Sequence, residues 1–258
     1  MRLKLYAIPG SHPCQAIEVA LRLKALDYER VDLPPGLGQL NSFVRFGKRT
    51  VPAMRADGYK VVGSVLIMRV LDGLQPEPPL VPRDPEPRAA VEEAERWGDE
   101  VLQDAARWIS QYAIVRRPEA AKSFLAGSSL SEFPDAVAGA SSRATFRAEI
   151  ATVGPGVGGV ERLVGELPSL LDHADGLVAA ATIGGDTPNV ADLQVGASVA
   201  LLMKLEDLRP AIESRPCAQI ARRLFTSYPG SIPRNSLPDE WLRASSLQPA
   251  DRSVTSAA

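Results

Sequence analysis

Residues 2 to 24 read RLKLYAIPGSHPCQAIEVALRLK, and they set the pattern of the N-terminal part of the chain. RLKLYA partly alternates and stops at Pro9-Gly10, which predicts a strand. From Pro13 to Lys24 the apolar residues recur at near-helical spacing and a proline occupies the first turn, which predicts a helix. Where strand and helix meet, a hydroxyl, an imidazole and a thiol fall within four residues: Ser11, His12 and Cys14.

This junction has a chemical and a structural interpretation. Ser11 either caps the helix or donates a hydrogen bond to a thiolate that the helix dipole favours. Cys14 is either a small buried apolar residue or a reactive thiol whose pKa the same dipole lowers. No second cysteine follows within four residues, so a dithiol redox pair is excluded here.

The next fifty residues continue a mixed α/β pattern. YERVDL predicts a second strand, and residues 37 to 46 predict a short, irregular helix. In TVPAMRADGYKVVGS, Asp57-Gly58 predicts a hairpin turn. Ser64 is placed to cap a helix over residues 65 to 74. The expected order over residues 1–75 is therefore βαβαββα.

A change in composition divides the chain after this unit. Residues 76–87 contain six prolines and predict a stiff linker. Residues 88–242 are helical in pattern and predict an all-α domain, with a long helix from Arg88 to about Tyr112 and a buried one from Asn189 to Met203. We expect residues 243–258 to form a disordered tail.

Composition excludes several classes of function. The 258 residues carry a net charge of −2, which argues against nucleic acid or an anionic membrane as a dedicated partner. No apolar run approaches the roughly 20 residues of a membrane span. Two distant cysteines predict no disulfide framework and a cytoplasmic location. Only two histidines are present, which disfavours a metal site or a Ser-His-Asp triad.

Three further features are candidate parts of a binding site. The Val51-Pro52 bond is either a cis bond that turns neighbouring backbone groups outward or a trans proline at an edge strand. Ser64 is either a simple helix cap or part of an anion site at a helix N-terminus. The long helix presents an apolar face that either lines a pocket or packs internally: Trp97, Val101, Trp108 and Tyr112.

Taken in order, these motifs resemble a bacterial cytosolic glutathione transferase. Ser11, Pro13, Cys14 and Ala16 match the theta-class pattern Ser-Gln-Pro-Cys-Arg-Ala. The other matches are the family's Val-Pro-Ala at residues 51–53, its Glu-Ser-x-x-Ile at Ser64 and Ile67, and its Ser/Thr-Ile/Val-Ala-Asp helix start at residues 189–192. Gly63 stands where the family has an acid.

The resemblance implies a fold and a reaction. The fold would be a thioredoxin-like N-terminal domain followed by an all-α domain, assembled as a homodimer. Glutathione, or mycothiol as another small thiol, would be the co-substrate, and its thiolate would be added to a small electrophile between the domains. No cofactor would be permanently bound.

The same resemblance assigns roles to individual residues. Ser11 would stabilise the thiolate, and Val51, beyond cis-Pro52, would pair with the cysteinyl part. The other expected contacts are Ser64 and the adjoining Gly63 at the γ-glutamyl end, Lys48 or Arg49 at the glycine carboxylate, and His12 beside them. Two alternatives stay open: a thiol-exchange enzyme that depends on Cys14, and a binding protein without activity, favoured by the missing acid.

Overall fold

A computed structural model describes residues 2–34, 51–245 and 247. The predicted helix at residues 37 to 46, and Lys48 and Arg49, lie outside the described residues. The elements of the N-terminal domain are β1 Leu3–Ala7, α1 His12–Leu23, β2 Glu29–Asp32, β3 Ala53–Ala56, β4 Tyr59–Val62 and α2 Ser64–Leu74.

The four strands form one mixed sheet with the order β2-β1-β3-β4. β1 runs parallel to β2, while β3 is antiparallel to both β1 and β4. Leu3, Leu5 and Ala7 alternate along β1 and join the main core with α1, because successive side chains of a strand point to opposite faces. Tyr6 packs on the other face against Leu33 and Ala53.

The described part of the C-terminal domain is helical. It comprises α3 Pro85–Trp97, a π-helical turn Gly98–Leu102, α4 Gln103–Arg116, a 3₁₀ helix Pro118–Leu125, α5 Asp135–Thr152, α6 Gly156–Ala179, α7 Val190–Leu202, α8 Arg209–Ile212, α9 Pro216–Leu224 and α10 Asp239–Ala244. This architecture confirms the predicted fold class. None of the helices described here is both long and apolar enough to cross a membrane.

The predicted buried helix is α7, and every one of its residues is buried. Its N-terminus has a capping box, in which the Asn189 side chain accepts from Asp192 N–H and the Asp192 carboxylate accepts from Asn189 N–H at 2.9 Å. α7 packs against α1, α3, α4 and α9, so it forms the centre on which the N-terminal domain rests.

The proline-rich segment after α2, which the sequence predicted to be a linker, contains the start of a helix. α3 begins at Pro85, inside the segment predicted to be a linker, because a helix's first turn does not need the N–H that proline lacks. The residues just before α3 make hydrogen bonds to both domains. Lys24 Nζ pairs with Asp72 at 2.6 Å and donates to the Pro78 carbonyl, while Leu80 O accepts from Val190 N–H at 2.9 Å.

Candidate active site

Ser11 occupies the N-cap position of α1, but its hydroxyl makes no capping hydrogen bond. The Ser11 hydroxyl instead lies beside the Cys14 thiol in the first turn, where it favours the thiolate form and so lowers the pKa of that thiol. The Ser11 N–H donates to Ile8 O at 3.1 Å, so the loop before the helix closes as a turn. The hydroxyl is therefore placed at a helix N-terminus, beside sulfur and without a capping role.

Cys14 behaves as a buried apolar residue. Its side chain is fully buried, and burial raises the pKa of its thiol to about 12, although the Ser11 hydroxyl acts in the opposite direction. Of the two alternatives for Cys14, the structure agrees with the buried apolar residue, because burial removes the hydration that a thiolate needs. Such a thiol is protonated near neutral pH and is a poor nucleophile.

His12 joins the two domains. It is buried, and its Nε2 lies 3.2 Å from Gln103 O at the start of α4. Burial, and secondly the positive charge of Arg107, lower the pKa of His12 to about 3. The imidazole is thus neutral at physiological pH and can act as a hydrogen-bond donor to the Gln103 carbonyl.

The Val51–Pro52 peptide bond is cis, in agreement with the first of the two alternatives for this motif. The Pro52 carbonyl accepts from Gly63 N–H at 2.9 Å, which joins the residues before β3 to the end of β4. Val51 and the Ser11 loop line the same cavity. Two of the motifs that were recognised separately in the sequence therefore meet in space.

Ser64 does not have the position predicted for it. It is the first residue of α2 rather than its cap, and Gly63, with φ of +97°, is the N-cap. The buried Ser64 hydroxyl accepts from Gln194 Nε2 at 3.1 Å and lies 3.5 Å from Asp99 Oδ1. This places the hydroxyl in a polar cluster between the domains, because α2 starts directly against the C-terminal domain.

Gly63 leaves open the space that an acid would take. A Cβ built on Gly63 meets no atom within 4 Å, but its positive φ favours glycine over any other residue. Ser64 and Gly63 are not among the residues that line the cavity beside Ser11.

That cavity has a volume of about 520 Å³ and lies between the domains. Ser11, His12 and Val51 contribute to one wall and Trp108 to another. Several lining residues were not foreseen from the sequence: Arg107, Gln111, Phe124, Phe146 and Glu149. The aromatic rings give the far part of the cavity an apolar surface, and Gln111 Nε2 donates to Glu149 Oε2 at 3.0 Å within it.

Three of the four predicted pocket residues on the long helix lie elsewhere. Trp97 packs on His173 with ring centroids 4.3 Å apart, and Tyr112 packs on Trp241 at 4.9 Å. Val101 is 41% exposed. Only Trp108 of this set lines the cavity.

Trp97 and Tyr112 pack inside the helical domain, which is the second of the two alternatives given for this face. The stripe that faces the cavity is Arg107, Gln111 and Ile114, one position before the apolar stripe that the sequence marked. Two of these three are polar, so hydrophobic periodicity could not find them. Gln111 pairs with Glu149 on α5, a contact that only the tertiary fold reveals.

Comparisons with known proteins agree with this architecture. Residues 5–79 match the family model described as "Glutathione S-transferase, N-terminal domain". The chain is 35% identical over 92 residues to maleylacetoacetate isomerase of Mus musculus and 40% identical over 94 residues to glutathione S-transferase Z1 of Arabidopsis thaliana. Each match covers 34% of this chain, and they span 43% and 41% of the length of those proteins.

Solved structures extend the likeness in fold to both domains. The beta-etherase LigF from Sphingobium sp. has a TM-score of 0.60 at 18% identity, covering 86% of this chain and 100% of that one. A glutathione S-transferase from Methylobacterium radiotolerans, solved with glutathione sulfonate, has a TM-score of 0.58 at 16% identity with complete coverage of both. Residues 5–79 thus match the glutathione S-transferase N-terminal domain model, and the chain resembles solved glutathione transferase structures in fold.

Proposed function

We propose that this protein is a thiol transferase that binds glutathione, ionises its thiol beside Ser11 and adds the thiolate to a small electrophile. The observation that carries the proposal is that Ser11 and the aromatic residues Trp108, Phe124 and Phe146 line one cavity. A thiol at Ser11 would face an apolar acceptor across a short distance, with Val51 beside it. The relatives named as glutathione S-transferases support glutathione as the co-substrate.

The chemistry follows from the position of the hydroxyl. Ser11 already acts on one sulfur, because its hydroxyl lowers the pKa of the Cys14 thiol against the effect of burial. The same donor, turned to a bound thiol at the N-terminus of α1, would stabilise the thiolate that attacks the electrophile. Cys14 itself is buried and protonated, which favours Ser11 over Cys14 as the centre.

Substitution of Ser11 tests the proposal. Ser11→Ala is expected to lower kcat/KM with glutathione and an aryl halide about 10²- to 10³-fold, as loss of one oxyanion-type donor does. Cys14→Ala should retain most of the turnover, and Ser169→Ala, an exposed serine on α6, is the matched control. Full turnover in Ser11→Ala together with its loss in Cys14→Ala would instead indicate a thiol-exchange enzyme.

A binding protein without activity is the second candidate. It is favoured by Gly63 in the place of an acid and by the Ser64 hydroxyl, which is held between the domains rather than at the cavity. Thermal shift with glutathione, mycothiol and no thiol tests it together with the identity of the thiol. A thiol at about 100 times its Kd should stabilise the protein by about 2.7 kcal/mol. A shift without turnover of any aryl halide would favour this candidate.

We also propose a homodimer in the cytoplasm. Large apolar side chains are exposed on the edge strand β4 and on α2, which pack together: Tyr59 at 79% and Leu66 at 57%. Exposed apolar surface of this kind is typical of protein interfaces.

The cysteines support the cytoplasmic location. Both are free and buried, as is usual in a reducing compartment.

A further inference from the structure

The peptide group between Gly10 and Ser11 is held at both ends. Tyr228 Oη donates to Gly10 O at 2.6 Å, and Ser11 N–H donates to Ile8 O at 3.1 Å. A peptide group is planar, so these two bonds together fix its rotation. That plane contains the N and Cα atoms of Ser11, so its rotation fixes the position from which the Ser11 side chain leaves the backbone.

Tyr228 is held rigidly in the position from which it donates a hydrogen bond to the Gly10 carbonyl. It is 97% buried, and burial raises the pKa of its phenol well above 10, so the hydroxyl stays protonated at working pH. Its own carbonyl accepts from Lys204 Nζ at 2.6 Å, and the same ammonium lies 5.4 Å from the ring centroid. The residue is therefore anchored to the end of α7, independently of the loop that it contacts.

Phe124 fills the space between the loop and the segment that carries Tyr228. Gly10 and Gly230 both have positive φ, of +76° and +93°. A Cβ built on Gly10 would lie 2.7 Å from Phe124 Cβ, and one built on Gly230 would lie 2.4 Å from Phe124 Cδ1. Only glycine fits at either position, so the ring is closely packed between two stretches of backbone.

We propose that Tyr228 is a positioning residue that orients Ser11 toward the bound thiol, through its hydrogen bond to the Gly10 carbonyl. The inference rests on the proposed function. No local motif places Tyr228 in the site, since it lies 218 residues from Gly10 in sequence. It acts through the backbone of the loop and is not itself among the residues that line the cavity.

The test is Tyr228→Phe, which removes one hydroxyl and keeps the packed ring. Tyr28→Phe is the matched control. The pKa of enzyme-bound glutathione is measured from the ultraviolet absorbance of its thiolate, alongside kcat, KM and thermal melting. In Tyr228→Phe we expect the bound thiol's pKa to rise and kcat to fall about tenfold, with KM for glutathione within about twofold. A purely structural role would change melting without changing that pKa.

The outcomes separate this inference from the function on which it rests. If the wild-type protein forms no thiolate with glutathione, the proposed function fails. If the wild-type protein forms it and Tyr228→Phe has the same bound-thiol pKa, or Tyr28→Phe changes it equally, the positioning role is overturned. Should Tyr228→Phe fail to fold, Lys204→Met, which loosens the anchor of Tyr228, takes its place, and an unchanged pKa there overturns the proposal.

Discussion

His12 lies next to the proposed catalytic residue, yet its contacts assign it to the joint between the domains. Its ring contacts the Gln103 carbonyl in a buried setting and is held neutral. Sequence alone could place His12 beside Ser11, because the two are adjacent. It could not predict the partner, which lies 91 residues away at the start of α4.

This burial predicts a pH dependence of stability. The pKa of His12 is about 3 in the folded chain, against an ordinary value of 6.5. Between these values the unfolded chain binds a proton that the folded chain does not, so the free energy of unfolding falls as pH decreases from 6.5 toward 3. The contribution is at most about 1.4 kcal/mol per pH unit.

Urea unfolding of the wild-type protein and of His12→Gln at pH 7 and pH 5 measures this contribution. The wild-type protein should lose more stability than the variant over that interval, since carboxylates that titrate in both proteins cancel in the comparison. Equal losses in the two proteins would show that His12 does not have the lowered pKa assigned to it.

At the scale of single elements, sequence patterns predicted α1, the β3–β4 hairpin and the start of α7. These elements depend on local features, such as a proline in a first turn, Asp57-Gly58 and the Asn189 capping box. Most of the residues of α4 that line the cavity were not predicted, for the opposite reason. Arg107 and Gln111 are polar, so hydrophobic spacing does not mark them.

Two helix-interior glycines should respond oppositely to alanine. A Cβ at Gly196 in α7 would lie 2.9 Å from Ile220 Cγ2 and from Phe225 Cε2, whereas one at Gly165 in α6 meets nothing within 4 Å. Gly196→Ala is expected to destabilise the protein by about 1–3 kcal/mol through overpacking. Gly165→Ala should stabilise it by about 0.5–1 kcal/mol through helix propensity. Denaturant unfolding of both variants decides this, and a Gly196→Ala protein as stable as Gly165→Ala would refute the packing described for α7.

At the scale of the whole molecule, polar contacts between the domains set the geometry of the site. Arg22 donates to Leu224 O at 2.7 Å, and the Asp32 carboxylate accepts from Ser129 N–H at 2.7 Å. Such contacts join residues about a hundred to two hundred positions apart and leave no local pattern. The motifs could therefore predict which residues line the N-terminal wall of the cavity, Ser11 and Val51, but not the Phe124 and Phe146 opposite them.

The proposed homodimer gives a prediction at this scale. Light scattering after size exclusion should give twice the chain mass of 27.6 kDa for the wild-type protein. Leu66→Arg should shift the population toward monomer, because it places a charge on an apolar surface of α2. Val157→Arg, at an exposed apolar side chain of α6, is the matched comparison away from β4 and α2. A wild-type monomer at micromolar concentration would contradict the assembly.

The most direct test of the account is the ionisation of glutathione bound to the protein. Ultraviolet difference spectra near neutral pH should show a thiolate band when the wild-type protein and Cys14→Ala bind glutathione, and no such band when Ser11→Ala does. A band of equal strength in Ser11→Ala, or its disappearance in Cys14→Ala alone, would contradict the assignment of Ser11 as the group that stabilises the sulfur anion.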